Sequence, residues 1–179
     1  MANVNIIDYV TIASLGNATD FGNLLTARTC GGSMVSSGSR GVVGGGDGNG
    51  DNVIQYITCS TLGNSSDFGD LVGNHFYPSA VSNGTRGIWA GGNTSPTRID
   101  VIQYVTIDTT GNSIDFGDLT SARDGLSSVS DGTKGLTGGG NTGSEVNTID
   151  YVNIASLGNA SDFGDLTRAS SAAHACSGD

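Results

Sequence analysis

Residues 63–71 read GNSSDFGDL, and this phrase recurs with small changes at 16–24, 111–119 and 158–166. Its phenylalanine returns every 47 or 48 residues, and a tyrosine with the same spacing precedes it. The four pairs are Tyr9 and Phe21, Tyr56 and Phe68, Tyr104 and Phe116, and Tyr151 and Phe163. A fixed period of this size predicts an array of supersecondary units that bury their apolar faces by stacking on their neighbours.

One period contains four strand signals. Residues 52–59 are rich in β-branched and aromatic side chains and predict a strand covered on both faces. The Gly63-Asn64 step predicts a tight hairpin, with a return strand over 66–71. Residues 77–81 and 87–90 predict two further short strands, the second ending on a double glycine that allows close backbone approach. Four antiparallel strands in about 47 residues match one blade of a β-propeller.

The sequence therefore predicts an all-β array of four-stranded antiparallel blades, about 3.75 in number, within one domain over 1–179. A half blade (a hairpin) is expected in 1–27, followed by blades at 28–71, 72–119 and 120–166, and by the lone strand of an incomplete blade at 167–179. We expect an open arc, which a second copy of the chain or further chain would close, in preference to a four-bladed ring. A parallel β-helix is the alternative architecture, although its rungs are usually much shorter.

Composition limits the possible partners. The chain carries a formal net charge of -10, with a single Lys and a single Glu. Nucleic-acid binding normally needs clustered basic side chains, so no nucleic-acid partner is expected. The sequence shows neither a signal peptide nor an apolar run long enough for membrane insertion. Cys30, Cys59 and Cys176 lack metal-site spacing and are interpreted as small buried hydrophobic residues.

Several sequence matches point to chemistry that the rest of the chain does not support. The repeated Asp-Phe-Gly spells a kinase magnesium motif without the other kinase motifs. Residues 138–143 match a dinucleotide fingerprint, but a strand follows where a helix is required. Residues 47–58 begin like a calcium loop and lack its glycine and its final carboxylate. We assign no catalytic, cofactor-binding or metal-binding residue and expect a protein without enzymatic activity.

The order of landmarks resembles a known repeat. A basic-Gly step, a short apolar strand, paired glycines, a Tyr, an aromatic residue and then an Arg (Arg28, Arg123) resemble the kelch repeat of β-propellers. The chain departs from kelch blades in having Phe where they usually carry Trp, farther from the Tyr, and His75 in place of one Arg. The longer phrases DFGDLTSAR and SNGTRG, with a triple glycine, are similar to kelch-like repeats of virion and tail-associated proteins of marine bacteriophages, including those of cyanobacteria.

That resemblance implies a tail-associated structural or adhesion module located in the virion. Such a module would bind a host-surface glycan or another virion protein. A cytoplasmic kelch-type scaffold for protein–protein interaction is the alternative, and a fragment of a carbohydrate-active enzyme is the third. In a propeller the loops after the double glycines emerge at one end, and here they differ between units. The candidate partner-binding residues are Asp47, Asn49, Asp51, Asn93, Thr94, Arg98, Asn141, Thr142 and Glu145.

Overall fold

The computed structural model describes residues 4–28, 32–46 and 52–176. These residues form fourteen β-strands and no helix. In chain order the strands are β1 (Val4–Tyr9), β2 (Thr19–Arg28), β3 (Ser33–Ser36), β4 (Arg40–Gly44), β5 (Val53–Thr58), β6 (Ser66–Asp70), β7 (Ser79–Ser82), β8 (Arg86–Ala90), β9 (Val101–Thr106), β10 (Ile114–Asp118), β11 (Ser127–Ser130), β12 (Lys134–Gly138), β13 (Thr148–Asn153) and β14 (Ser161–Asp165).

The strands form one hairpin and three antiparallel sheets of four strands. The hairpin is β1-β2, and the sheets are β3-β4-β5-β6, β7-β8-β9-β10 and β11-β12-β13-β14, each in simple up-and-down order. None of the sheets formed by the described residues closes into a barrel. The described chain is therefore an open, partial all-β propeller, as the repeat predicted. The four strands predicted for one period are observed as β5, β6, β7 and β8.

A β-bulge lies at the phenylalanine of every repeat. In the first sheet Ile54 pairs with Gly69 and the adjacent Gln55 with Asp67, so Phe68 is the extra residue, and the other three outer strands have the same register shift. A bulge re-aims the side chain that it carries. Here each Phe meets the Tyr of its own unit edge to face, with ring centroids 6.0–6.1 Å apart in all four units.

The core lies between neighbouring sheets. One apolar cluster joins Val42 and Phe68 of the first sheet to Trp89 and Ile107 of the second, and another joins the second sheet to the third. Trp89 is fully buried, and its indole N–H donates to the carbonyl of Ser33 at 3.1 Å. Each sheet thus supplies only part of a core, which is why the units must stack.

The Gly-Asn step does not form the predicted tight hairpin. Seven residues, 59–65, connect β5 to β6, and Gly63 donates its amide to the carbonyl of Phe21 in the preceding unit at 2.8 Å. The Asn64 side chain accepts the amide of Asn23 at 3.0 Å. The same two bonds recur at Gly111 with Asn112 and at Gly158 with Asn159. The hairpin was predicted from local turn preference, whereas the Gly-Asn step pairs with the preceding unit.

Two other sequence predictions are corrected. The described part of 167–179, residues 167–176, contains no strand. This segment instead bonds to loops of the third sheet, with Ser170 donating its amide to Val146 at 3.2 Å and accepting the amide of Gly140 at 2.8 Å. Cys59 and Cys176 are exposed, since one begins the 59–65 connection and the other lies in this strandless segment, while Cys30 lies outside the described residues.

The glycine in the Asp-Phe-Gly step gives a direct test of unit stacking. A Cβ on Gly69 would overlap the carbonyl of Gly111, whereas a Cβ on Gly164 has no atom within 4 Å. The two glycines have similar φ angles, +145° and +140°, so alanine causes the same backbone strain at both. We expect Gly69→Ala to lower the free energy of unfolding by about 1–3 kcal/mol more than Gly164→Ala, the usual cost of overpacking.

The measurement is urea denaturation of both variants in dilute solution. Equal losses of stability would show that the close approach of Gly69 to the next unit is not required.

Candidate functional site

The candidate loops begin at double glycines that are clamped to the following linker. Gly91 and Gly92 have φ angles of +62° and +100°, which favour glycine. Gly92 donates its amide to the carbonyl of Arg123 at 2.9 Å, and a Cβ at this position would overlap the carbonyl of Phe76. Gly46 and Gly140 make the equivalent bonds to the carbonyls of His75 and Ser170, which follow their sheets in the chain. The start of each loop is thus fixed against the next blade.

The loop of the second sheet is braced by one carboxylate. Asn93 donates its side-chain amide to Asp124 Oδ2 at 2.8 Å, and Arg98 Nε donates to Asp124 Oδ1 at 3.1 Å. The side chains of Arg98 and Asp124 are 34% and 19% exposed, so this ion pair is partly shielded from water. The tip, residues 94–97, is exposed. Asn93 and Arg98 therefore shape the loop, and its tip is left for contact.

The loop of the third sheet is held by backbone hydrogen bonds to Asp124 and by one side-chain bond to the segment that follows the sheet. Asn141 exchanges backbone hydrogen bonds with Asp124, and its side-chain oxygen accepts the amide of Gly143 at 2.7 Å. Glu145 accepts a hydrogen bond from the hydroxyl of Ser171 at 2.9 Å. Residues 142–145 are exposed. We call the two exposed tips, 94–97 and 142–145, the loop face.

The structure unites some of the sequence-predicted residues and not others. Asn93, Arg98 and Asn141 meet at Asp124, which the sequence analysis missed. Thr94, Thr142 and Glu145 lie on the loop face. The predicted residues Asp47, Asn49 and Asp51 lie outside the described part of the chain. The sequence does contain a signal for Asp124. Arg98 lies in the loop of one unit and Asp124 in the linker that follows it, whereas the equivalent linker positions carry Phe76 and Ser171.

Buried polar pairs hold the linkers that carry these braces. In the linker before the third sheet, Arg123 Nη2 lies 2.9 Å from Asp150 Oδ2, and both side chains are almost completely buried. Asp150 also accepts the amide and the hydroxyl of Thr120, at 3.0 and 2.7 Å. Burial lowers the pKa of Arg123, and the carboxylate of Asp150 opposes that shift. The guanidinium stays charged because its ordinary pKa is far above neutrality.

One unit earlier the same two positions carry a different pair. The Gln103 side-chain amide donates to His75 Nε2 at 2.7 Å, and Gln103 Oε1 accepts the amide of Val72 at 2.8 Å. Because Nε2 accepts this bond, the proton of the neutral ring is on Nδ1, which donates to the carbonyl of Gly91 at 3.3 Å. Burial lowers the pKa of His75, which favours the neutral ring. His75 and Phe76 are thus packing residues, while the neighbouring Tyr77 is about half exposed.

The matched pairs allow an exchange experiment. Asp150→Gln leaves Arg123 as a buried unpaired charge, and we expect a loss of about 3–5 kcal/mol in the free energy of unfolding. The double variant Arg123→His with Asp150→Gln copies the His75–Gln103 pair, and we expect it to regain most of that loss. Urea denaturation measures both variants. Full stability in the single variant, or no recovery in the double variant, would refute the pairing.

The loop face offers hydroxyls, backbone amides and one carboxylate. Among the described residues no group of three or more His, Cys, Asp or Glu side chains is placed to hold a metal ion. The part of the chain that the structure covers also has no helix capable of spanning a membrane. The arrangement suits hydrogen bonding to a polar ligand by a pre-shaped surface.

Two comparisons with known proteins were without a match. No family model matches the chain. No curated protein matches it.

Proposed function

We propose that this protein is a non-enzymatic adhesion module of a phage particle, tail-associated, whose loop face binds a host-surface glycan. The observation that carries the proposal is the bracing of two neighbouring loops on Asp124, which leaves both tips exposed side by side along the array. The kelch-like order of landmarks and the phage-type phrases supply the biological setting.

The chemistry of the tips supports a carbohydrate ligand. Thr94, Thr97 and Thr142 bring hydroxyls to the surface, and Glu145 adds an acceptor. Sugars present arrays of hydroxyls that both donate and accept, so polar groups held in fixed positions bind them without an ordering cost at the loops. Pro96 stiffens the first tip further, because its ring fixes φ.

The differences between the loops also explain how such a module would acquire specificity. The sheets and linkers repeat closely, whereas 93–98 and 141–145 differ in length and side chains. Binding residues commonly lie on loops held by a rigid scaffold. A partner that spans two blades would then contact two different tips at once.

A glycan-array experiment tests the proposal with two matched double variants. Thr94→Ala with Thr142→Ala removes one hydroxyl from each tip, and we expect about a tenfold loss of affinity, near 0.5–1.5 kcal/mol for each bond lost. Thr85→Ala with Thr133→Ala makes the same change in exposed turns that precede β8 and β12, at the opposite end of these strands, and we expect unchanged binding.

No glycan bound by the native protein, or equal losses in both double variants, would overturn the glycan proposal. Capsid and tail genes beside the coding sequence would support the phage setting, and metabolic genes there would argue against it.

A further inference from the structure

The junction between the second and third sheets shows how two units recognise each other. The outer strand and linker of the second sheet contribute residues 116–120, FGDLT. Gly158 and Ala160 of the third sheet donate their amides to the carbonyls of Phe116 and Asp118, at 2.8 and 2.7 Å. Asn159 accepts the amide of Asp118 at 3.1 Å, and Asp150 accepts two bonds from Thr120.

Both halves of this junction are repeated at opposite ends of the array. Residues 163–167 also read FGDLT, identical to 116–120. Residues 7–18, IDYVTIASLGNA, match 149–160, IDYVNIASLGNA, at every position except Thr11, where Asn153 stands. The array therefore carries an extra copy of each half of a contact that it already makes internally, and neither copy meets a matching half among the described residues.

These two halves are exposed where their internal counterparts are buried. Ile12 is 99% exposed, whereas the equivalent Ile154 is 0% exposed. Phe163 is 55% exposed, whereas Phe116 is 3% exposed. Asp8 is exposed, in contrast to the buried Asp150. We call residues 7–18 the leading face and residues 163–167 the trailing face.

We propose that the trailing face of one molecule binds the leading face of a second copy of this chain, head to tail, and reproduces the internal junction. Gly16 and Ala18 of the second copy donate their amides to the carbonyls of Phe163 and Asp165. Asn17 accepts the amide of Asp165, and Asp8 accepts the amide and hydroxyl of Thr167. Ile12 and Phe163 become buried, as Ile154 and Phe116 are.

A cation of each sheet also contacts the next unit in the internal junction, and an equivalent cation is available for the contact between two copies. Arg86 lies over the ring of Tyr104, 4.4 Å from its centroid, and donates to the carbonyl of Ile154 in the next unit at 2.8 Å. Lys134 lies over Tyr151 in the same way, at 5.0 Å. In the head-to-tail complex the ammonium of Lys134 meets the carbonyl of Ile12.

The new contact is weaker than the internal one for two reasons. Among the described residues the leading hairpin, β1-β2, has no counterpart of β11, which bonds to β7 of the second sheet through Ser128 with Ser79 at 2.6 Å and Ser130 with Ser82 at 3.1 Å. Ser170 stands where Arg123 stands one unit earlier, so Asp8 gains the bonds from Thr167 without a guanidinium partner. A carboxylate desolvated without its cation reduces the net gain. The association is therefore reversible and depends on protein concentration.

The symmetry of the contact follows from its two different faces. Such heterologous contacts close into rings or continue as filaments. Each copy supplies one hairpin and three four-stranded sheets, so a ring of two copies would hold eight sheets, two of them two-stranded, within the four to eight blades of closed propellers.

Analytical ultracentrifugation of the full chain tests the proposal with one variant on each face. Ile12→Asp inserts a carboxylate into the leading face, and Thr167→Asp sets a carboxylate of the trailing face against Asp8; both side chains are exposed, so the fold is retained. We expect the native chain to associate as concentration rises. We expect each variant to dissociate about 100-fold more readily, because a buried apolar group or hydrogen bond is replaced by a charge.

Mixing the two variants gives the sharpest result. The trailing face of Ile12→Asp and the leading face of Thr167→Asp are both intact, so an equimolar mixture forms a 1:1 heterodimer and stops there. Ile114→Asp changes an exposed isoleucine, 57% exposed, that lies on neither face, and it associates like the native chain.

A native chain that remains monomeric at every concentration would overturn the proposal. So would association that persists in Ile12→Asp, or a mixture of the two variants that shows no heterodimer.

Discussion

Close packing of glycine against glycine across each junction is the constraint on which the rest of the structure depends. In three successive junctions the glycine of the Asp-Phe-Gly step lies directly against the glycine of the next Gly-Asn step, with no room for a Cβ. This approach lets backbone amides pair between neighbouring sheets. It also brings the apolar flanks of those sheets together, so that Trp89 and Ile154 become fully buried. Without the glycines the sheets would stand too far apart to share a core.

The polar pairs inside each junction add selectivity to this packing. Arg123 faces Asp150, and His75 faces Gln103, with backbone amides satisfying the remaining acceptors. An unmatched pair would leave a buried group without its bond, which costs more than the bond itself contributes. The junctions thus fix the order and register of the units. The linker that carries Arg123 also carries Asp124, so the same contacts that stack these blades set the positions of the loop tips.

The fold was largely predictable from sequence because its signals are periodic. Four copies of the Tyr and Phe landmarks give the number of units, and the β-branched run at 52–59 gives a strand that is observed at Val53–Thr58. The role of Gly63 and Asn64 was not predictable from local turn rules, because their partners lie in another unit. Cys59 was wrongly predicted to be buried. The prediction used the residue type alone, which does not show that Cys59 begins an exposed seven-residue connection.

The candidate site was predicted only in part for a related physical reason. Variation between loops located Thr94 and Thr142, which are exposed. The brace at Asp124 depends on a linker and a loop that are 26 residues apart in the chain and meet only after the blades stack. Arg98 was predicted to bind a partner, which stays a prediction; in the structure its Nε donates to Asp124. Long-range pairs of this kind follow from the repeat only when equivalent positions are compared unit by unit.

Amide hydrogen exchange of the glycines in the Gly-Asn steps tests the central claim most directly. Gly63, Gly111 and Gly158 each donate to a phenylalanine carbonyl of the preceding unit, at 2.7–2.8 Å, and within the described chain Gly16 has no preceding unit. In dilute solution we expect strong protection of the first three amides and rapid exchange at Gly16. Exchange at Gly63, Gly111 and Gly158 as fast as at Gly16 would contradict it.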